Sequence, residues 1–583
     1  MIVTTAIRAV ADAHVSALTR LDPEAAVALG RCDVDRIPDL SPEAYAERDA
    51  LARRTVGELA RATDEPTTPA DRILAAALTE RLTADSALYE AGFTTTLLAP
   101  LATPVHQLRL IFDDLPTAAA DTEVVVRHLA GVPGALRQYG RTLQSARRAG
   151  HRISRRQALL LAAQCEAWVD PRGADVFRRL PAVSQGGDRA TRAADEAGAA
   201  MSAFAAFLRT ELTDERTRAE DTGVGAELYA ITSQAFLGAP VDCAELYAWG
   251  WDELARLGRE ARTLAADITG HTDLADALAA LDADPRRRIA TGRPLLEWLQ
   301  TRLDELTDAL DGRHFDLPPG LRNVEARLDA ADSGVMYYTP PELGLARPGR
   351  VWWAVPAGVE HVSTWREVSS VHHEGLPGHH LQFAVTLGNE HLHPWQRHLC
   401  HVHGYAEGWA HYAEQLAVEL GLLDDPAERL GMIYAQVWRA ARIVVDIGLH
   451  LDLPIPAANG VVDAGRWSPE IAARFLHEVS GLHPSTARFE VDRYLGWPGQ
   501  ALAFKVGARL WQQIRTETEE RLAGAFDLKQ FHMNALNLGP MGLAPLRQTF
   551  RDGRSHLTTP PPHPTSAEPH PPERATTDPR SAT

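Results

Sequence analysis

The chain has 583 residues, of which 45% are apolar and 23% charged, which is the composition of a globular protein with a sizeable core. Its net charge of −18 argues against nucleic acid or an anionic membrane as a partner. No apolar run is long enough for a transmembrane helix, and the N-terminus lacks the regions of a signal peptide. Four widely spaced cysteines match neither a C-x-x-C site nor a disulfide framework, which predicts a cytoplasmic location.

Amphipathic segments rich in alanine, leucine, arginine and glutamate recur throughout residues 1–554 and predict a mostly α-helical protein. No clear boundary divides this stretch, so we expect one large helical domain, built as one lobe or as two. Residues 555–583 are dense in proline, serine and threonine, with almost no large apolar residue. This composition predicts a disordered tail.

Residues 334–359, GVMYYTPPELGLARPGRVWWAVPAGV, carry the clearest strand signal. Aromatic and β-branched runs flank a turn rich in proline and glycine, which predicts a small β-hairpin. The edge of such a hairpin can pair with an extended substrate backbone, and Tyr338 would then contact the substrate. A hairpin that only packs against the helices is an equally good interpretation.

Histidine is concentrated immediately after this hairpin, because ten of the 24 histidines lie between His372 and His411. Histidine is the commonest zinc ligand. A chain with so few cysteines would therefore build a zinc site from histidine and carboxylate groups. A surface segment with scattered histidines is the alternative interpretation.

The stretch VHHEGLPGHH, residues 371–380, resembles an interrupted H-E-x-x-H zinc motif. On an unbroken helix His373 and His380 would share a face but lie about 10 Å apart along the axis. His379 would lie well off that face. A regular helix therefore gives no metal site here, and a register that uses His372 or His380 stays open as the alternative.

The Gly-Leu-Pro-Gly insert suggests how the motif is repaired. Pro377 lacks an N–H group and clashes with the preceding turn, and the flanking glycines permit unusual backbone angles. We expect a widened turn or bulge, a feature often found at functional sites. It would bring His373 and His379 together as ligands and place Glu374 beside the metal.

A third ligand is needed that leaves the fourth position open. In the helical run GYAEGWAHYAEQLAVELG, Glu407, His411 and Glu414 fall on one face. We expect Glu407 to be the third ligand, and His411 or Glu414 to orient the ligands through hydrogen bonds. For Glu407 alone, a solvated helix glutamate is the alternative.

Two later motifs offer further candidates. In RIVVDIGLH, Arg442, Asp446 and His450 fall on one helical face. They suggest a structural Arg–Asp pair and a histidine that could face the cleft as a donor to the substrate. In EVDRYLGWPGQ, Tyr494 could donate to the oxyanion, and Arg493 could bind a substrate carboxylate. A helix end packed near the site is the alternative for both.

The blocks HEGLPGHHLQ, GYAEGWAHYAE, RIVVDIGLH and EVDRYLGWPGQALAFKVG resemble, in this order, the signature blocks of the bacterial family named domain of unknown function 885. The resemblance runs through most of residues 20–550. That family is similar to the helical zinc metallopeptidases of the thimet oligopeptidase type. The resemblance implies a mostly helical fold with a deep channel, and the predicted β-hairpin or a small sheet would lie beside the site. It also implies peptidase-like hydrolysis and one zinc per chain bound by His373, His379 and Glu407, with Glu374 as the base.

Two departures from the family pattern bear on specificity. Phe504 stands where a tyrosine is expected. Residues 531–546, FHMNALNLGPMGLAPL, lack the expected acidic residue after the histidine. If either missing group helps to hold the substrate, specificity here differs from that of the family.

These observations predict a zinc-dependent hydrolase of amide bonds in short peptides. Glu374 would take a proton from a metal-activated water and pass it to the leaving amine, while Tyr494 would stabilise the oxyanion. A biosynthetic metalloenzyme acting on an amino-acid-like molecule is one alternative, which Phe504 favours. A metal-binding protein without catalysis is the other, which Glu374 disfavours because a binding site needs no base.

Overall fold

The computed structural model describes residues 5–31, 36–64, 67–112, 122–170, 172–173, 175–212, 223–329, 336–342, 347–355, 358–457 and 459–553. The structure is 70% helix and 5% strand, which confirms the mostly α-helical prediction. The predicted tail and Cys32 lie outside the described residues. Within the described ranges, no helix is both long and apolar enough to cross a membrane.

The N-terminal half is built from amphipathic helices that bury their apolar faces. Several of them begin with a proline in the first turn after a capping side chain, as α3 does after Ser41 and α4 after Thr68. The helices are α1 (Ala6–Leu21), α2 (Pro23–Ala28), α3 (Pro42–Ala62), α4 (Pro69–Glu90), α5 (Pro104–Leu110), α6 (Thr122–Arg148), α7 (Arg155–Trp168), α8 (Pro181–Gln185), α9 (Gly187–Thr210), α10 (Ala226–Leu237), α11 (Cys243–Thr269), α12 (Leu274–Ala283) and α13 (Arg293–Leu310).

The C-terminal half carries the histidine-rich stretch. Its helices are α14 (Thr364–Ser370), α15 (His379–Gly388), α16 (Pro394–His398), α17 (His403–Glu419), α18 (Pro426–Leu451), α19 (Pro469–Ser480), α20 (Pro484–Gly496), α21 (Lys505–Leu522), α22 (Leu528–Asn537) and α23 (Leu543–Arg551). Short 3₁₀ turns lie at Pro285–Arg287, Pro319–Leu321, Gln500–Ala503 and Ala523–Ala525.

The strands form three small sheets among the described residues. They are β1 (Arg288–Ala290), β2 (Val324–Asp329), β3 (Tyr337–Thr339), β4 (Gly349–Ala354), β5 (His361–Ser363), β6 (Pro454–Ile455) and β7 (Gly465–Arg466). The predicted hairpin is confirmed, because β3 pairs antiparallel with β4, with Tyr338 opposite Val351. Sequence analysis missed β2, which pairs with β4 in parallel on its other edge. Strand β1 pairs with β5, and β6 with β7, both antiparallel.

The buried apolar side chains fall into separate clusters. Helices α5–α9 contribute most of one cluster, which draws only on residues 40–212. The cluster around the histidine-rich stretch instead combines Leu59 and Leu78 of the N-terminal helices with Leu376, Trp409 and residues further along the chain. Segments far apart in sequence therefore hold this stretch in place.

Glycines bring α17 and α21 into direct backbone contact. A Cβ atom on Gly408 would lie 2.8 Å from the Cα of Gly507, and one on Gly507 would lie 2.8 Å from the carbonyl oxygen of Gly404. No real side chain approaches backbone so closely. The glycines of GYAEGWAH thus fix how α17 packs.

Candidate metal site

The helix that carries the histidines is interrupted as the sequence predicts. Helix α14 continues into a π-helical turn, Val371–Gly375, and α15 begins only at His379. A Cβ atom on Gly378 would collide with the carbonyl oxygens of His372 and His373. Because the insert folds back tightly against the turn before it, only glycine fits at residue 378.

Trp409 of α17 anchors the insert. Its indole is fully buried, and its Nε1–H group donates to the carbonyl oxygen of Pro377 at 2.9 Å. Glu407 lies two residues before Trp409 on the same helix. This contact therefore fixes the position of α17 relative to the interrupted helix.

The structure brings together the three predicted ligands. The Oε2 atom of Glu407 lies 3.3 Å from Nε2 of His373 and 3.5 Å from Nε2 of His379. One ligand atom from each residue lies within 4.8 Å of the others. The two histidine side chains are only 5% and 11% exposed, whereas that of Glu407 is 24% exposed. The site is thus recessed but accessible on the side of the carboxylate.

Glu414 holds the far side of the His373 ring. The Nδ1–H group of His373 donates to Glu414 Oε1 at 2.7 Å, and His411 Nδ1 lies 3.1 Å from the same oxygen. Ser369 Oγ donates to Oε2 at 3.0 Å, and Gln436 Nε2 donates to it at 3.2 Å. A carboxylate behind a histidine ligand fixes the tautomer and leaves Nε2 free to bind a metal.

Hydrogen bonds between the histidines and the carboxylates shift the pKa values at this site. Burial lowers the pKa of His373, but hydrogen bonds to Glu407 and Glu414 outweigh burial and raise this pKa to about 10. Burial raises the pKa of each carboxyl, yet the neighbouring histidines hold both pKa values well below the ordinary range. The carboxylates stay ionised, as metal ligands must.

Two imidazole nitrogens and one carboxylate oxygen, with a second carboxylate behind one imidazole, form a donor set that fits Zn²⁺. A second group of possible ligands, His373, His411 and Glu414, is completely buried. Its atoms already bond to one another through Glu414. The group with Glu407 is therefore the better candidate for a metal that must reach a substrate.

Glu374 lies in the π-helical turn next to His373 and is 8% exposed. Its charge contributes to the raised pKa of His373, so the two groups are close. No hydrogen bond joins its carboxylate to another described residue. This position beside a candidate ligand makes Glu374 a candidate proton acceptor.

The other two histidines of the stretch have different partners. His372 Nδ1 donates to the carbonyl oxygen of Leu376 at 3.1 Å. His380 Nδ1 lies 2.9 Å from the hydroxyl of Tyr338, which places β3 beside the site. The structure therefore does not bring His372 or His380 into the cluster. Tyr338 contacts His380 and none of the three candidate ligands.

Tyr494 and Arg493 both bind Glu490. The Tyr494 hydroxyl donates to Glu490 Oε2 at 2.7 Å, and Arg493 Nη2 donates to the same oxygen at 2.7 Å. Arg493 Nη1 also donates to Gln500 Oε1 at 2.8 Å. Neither side chain directly contacts the candidate ligands, although the charges of Arg493 and Glu407 act on each other.

The predicted pairing of Arg442 with Asp446 is wrong. Arg442 Nη2 instead donates to Glu490 at 3.0 Å. Asp446 accepts the Tyr229 hydroxyl at 2.7 Å and the backbone N–H of Gly499 at 2.9 Å. Helical spacing places side chains on one face, but neighbouring elements α10 and α20 supply better partners.

His450 is buried between two backbone groups and the carboxylate of Asp446, whose Oδ1 atom lies 3.5 Å from its Nε2 atom. Its Nε2–H group donates to the carbonyl oxygen of Tyr494 at 3.1 Å, and Nδ1 accepts the backbone N–H of Val224 at 3.4 Å. Burial lowers its pKa to about 4, so the ring is neutral. Both nitrogens are used, and the structure does not bring His450 to the cluster.

The two segments that depart from the family pattern lie in different surroundings. The Phe504 ring stacks on the ring of His373, with centroids 6.1 Å apart and an interplanar angle of 17°. His532, from the FHMN block, is buried in the core, where its Nε2 lies 2.8 Å from the Tyr412 hydroxyl. Phe504 therefore lies next to the site, whereas His532 packs in the core.

Sequence analysis missed the residues that support Glu414. Ser369 lies one helical turn before His373, a spacing that could have identified it. Gln436 had no such signal, because it lies on α18. Its amide oxygen accepts Lys505 Nζ at 2.6 Å, and Lys505 in turn pairs with Glu253 at 2.9 Å.

The family described as bacterial protein of unknown function (DUF885) matches residues 23–550 of the chain. No curated protein matches the chain.

Two solved structures share the fold. A candidate lipoprotein from Colwellia psychrerythraea superposes with a TM-score of 0.79 at 20% identity, over 95% of this chain and 100% of its own. A candidate lipoprotein of unknown function from Shewanella oneidensis gives a TM-score of 0.68 at 16% identity, over 93% and 99%. At these identities the likeness shows the fold alone.

Proposed function

We propose that this chain, which belongs to the DUF885 family of bacterial proteins of unknown function, is a zinc-dependent hydrolase that cleaves amide bonds in short peptides. The observation that carries the proposal is the convergence of His373, His379 and Glu407 within 4.8 Å. Glu414 behind His373 and Glu374 beside it supply the two further groups that such a site needs. We expect one zinc per chain.

Zinc bound by His373, His379 and Glu407 would supply the Lewis acidity that makes a water easy to deprotonate near neutral pH. Glu374 accepts that proton and later donates it to the leaving amine, because its carboxylate is next to a ligand and makes no hydrogen bond to another described residue. Glu414 keeps the His373 ring oriented and its Nδ1 protonated.

The finer parts of the proposal are a likeness to the thimet oligopeptidase type and a deep channel to the site. The low exposure of His373 and His379 supports a recessed site of this kind. Tyr494 stays the candidate donor to the oxyanion, which requires its hydroxyl to leave Glu490. The edge of β3 stays the candidate surface for an extended substrate backbone. The three cysteines among the described residues are free, which supports a cytoplasmic location that cell fractionation would test.

A biosynthetic metalloenzyme acting on an amino-acid-like molecule is the second candidate function. The observation that favours it is Phe504, which presents a plain ring to His373 where the family pattern predicts a phenol. A protein that binds metal without catalysis is disfavoured by Glu374, since metal binding alone needs no proton acceptor.

The test is a profile of zinc-loaded protein on a mixture of short peptides, read by mass spectrometry, with Glu374→Gln as the matched control. The proposal predicts peptide fragments from the wild type and almost none from the variant. Turnover of acylated amino acids without peptide cleavage would favour the second candidate. Protein that binds no zinc would overturn both.

A further inference from the structure

Two arginines bind a buried carboxylate close to the candidate metal site, and a third lies one helical turn away on α18. Arg442 and Arg493 both donate to Glu490, at 3.0 Å and 2.7 Å. Arg439, one turn before Arg442 on α18, makes no hydrogen bond or ion pair with any other described residue. Two of the three guanidinium groups therefore share one carboxylate, and the third has no hydrogen-bonded partner among the described residues.

Several of these guanidinium nitrogens are buried without a partner. Arg442 is only 3% exposed, and its Nε and Nη1 atoms have no hydrogen-bond partner in the described part of the chain. The Nε atom of Arg439 is likewise buried and unpartnered. Buried polar groups are nearly always hydrogen-bonded, and buried charges are nearly always paired. The arrangement is explained if an anion completes it.

Phe504 links these arginines to the metal site. The Cζ atoms of Arg442 and Arg439 lie 4.3 Å and 5.6 Å from the centroid of its ring, and the same ring stacks on His373. Burial lowers the pKa of the Arg439 guanidinium, as expected for a cation without an ion pair, while the charges of Glu414 and Glu407 act in the opposite direction. An anion held here would lie beside the candidate ligands.

Both guanidinium groups are held in place by a second ring. The Cζ atom of Arg439 lies 4.4 Å from the centroid of the Trp438 ring, and that of Arg442 lies 4.2 Å from it. Stacking on an aromatic face fixes a planar guanidinium and leaves its N–H groups in the plane free to bind. Arg493 differs, because Glu490 and Gln500 already occupy its N–H groups.

We propose that Arg439 and Arg442 bind a free carboxylate of the substrate, so that the enzyme cleaves an amide bond near a carboxylate end. This inference rests on the proposed function and names its substrate class. Guanidinium groups bind carboxylates through paired, charge-assisted hydrogen bonds. The carboxylate belongs to a peptide C-terminus or to an N-acylated amino acid. Arg493, which the sequence suggested for this role, instead positions Glu490.

The kinetic test compares peptides that differ only in a free or amidated C-terminus. Charge-assisted hydrogen bonds predict that the wild type prefers the free acid roughly 10- to 100-fold in kcat/KM. Arg439→Gln should bring this ratio close to one and leave zinc content unchanged. Arg509→Gln is the matched control, because Arg509 also stacks on a tryptophan but pairs with Glu245. Equal cleavage of acid and amide by the wild type would overturn the inference alone.

A binding test separates this inference from the proposed function. N-acetylated glycine, leucine and phenylalanine and their amides are titrated into zinc-free protein by calorimetry. At least one acid should bind at least tenfold more tightly than its amide, and Arg439→Gln should remove the difference. If this holds while zinc or cleavage is absent, the proposed function fails and the carboxylate site stands. If no acid binds better than its amide, the carboxylate site is wrong. Cleavage of N-acylated amino acids but not of peptide acids would identify the source of the carboxylate.

Discussion

Glu414 accepts a hydrogen bond from His373 across 2.7 Å, from Nδ1 to Oε1, and so joins α17 to the π-helical turn. The bond is buried, with the two side chains 1% and 5% exposed. It uses the nitrogen that a metal does not need and turns the other towards Glu407. Two residues 41 positions apart in sequence thereby fix the orientation of the first candidate ligand.

Removing a ligand histidine should remove the metal. We expect His373→Ala and His379→Ala to lose bound zinc, because two remaining ligands bind it too weakly. His380→Ala is the control and should keep most of its zinc, since His380 binds Tyr338 instead. The check is metal content per chain after dialysis. Loss of zinc from His380→Ala, with retention in His379→Ala, would show that the register is wrong.

The two glutamates of α17 should differ in their effect on affinity. Glu407→Gln removes a ligand charge and should weaken zinc binding severely. Glu414→Gln disturbs only the orientation of His373 and should weaken it by roughly 10- to 100-fold. Competition with a zinc-binding dye measures both affinities. Unchanged affinity in Glu407→Gln would exclude this residue as a ligand.

Substituting the proposed base should separate turnover from metal binding. Glu374→Gln keeps the shape of the side chain but cannot accept a proton at neutral pH. It should fold and bind zinc normally, while turnover falls by about 10²- to 10⁴-fold. Zinc content and peptide cleavage are measured on the same preparation. Loss of zinc would instead make Glu374 a ligand, and undiminished cleavage would contradict the mechanism.

The insert should not tolerate a side chain at residue 378. Gly378→Ala would push a methyl group into the carbonyl oxygens of His372 and His373, and such overpacking costs about 1–3 kcal/mol. We expect lower stability towards urea and weaker zinc binding. Gly465→Ala serves as the control, because a Cβ atom there meets nothing within 4 Å. Equal stability of the two variants would contradict the close approach.

Asp446 should make the protein less stable as pH rises. Burial raises its pKa to about 7, although hydrogen bonds from Tyr229 and Gly499 act in the opposite direction. Between about pH 4 and pH 7 the folded state thus keeps a proton that the unfolded chain has lost, so the free energy of unfolding falls across this range. The contribution is on the order of a few kcal/mol.

Asp446→Asn should remove this dependence and gain stability relative to the wild type between pH 5 and pH 8. Urea unfolding at pH 5 and at pH 8 measures the difference in the free energy of unfolding between the variant and the wild type. Asp463→Asn, at an exposed position, should track the wild type at both. A constant difference between Asp446→Asn and the wild type would show that Asp446 is ionised throughout.

Local chemistry made part of this structure predictable from the sequence. Pro377 and its flanking glycines predicted the interruption that brings His373 and His379 together, because their backbone limits are local properties. Helical spacing likewise placed Glu407 and Glu414 on one face of α17.

Contacts between distant segments were not predictable in this way. The Arg442–Asp446 pair was expected from spacing, but α20 offers Glu490, and no local pattern reveals that it approaches α18. Gln436 and β2 were missed for the same reason. Their roles depend on neighbours that only the folded chain supplies.

The imidazole of His373 lies between two carboxylates of the same helix, Glu407 at Nε2 and Glu414 at Nδ1. Glu407 and Glu414 are two helical turns apart, so the His373 ring lies along the side of α17 and bridges the two turns. The Glu414 bond does not involve the ligand nitrogen, so it holds the ring whether or not a metal is bound. Folding of α17, rather than capture of an ion, therefore decides where the first ligand points.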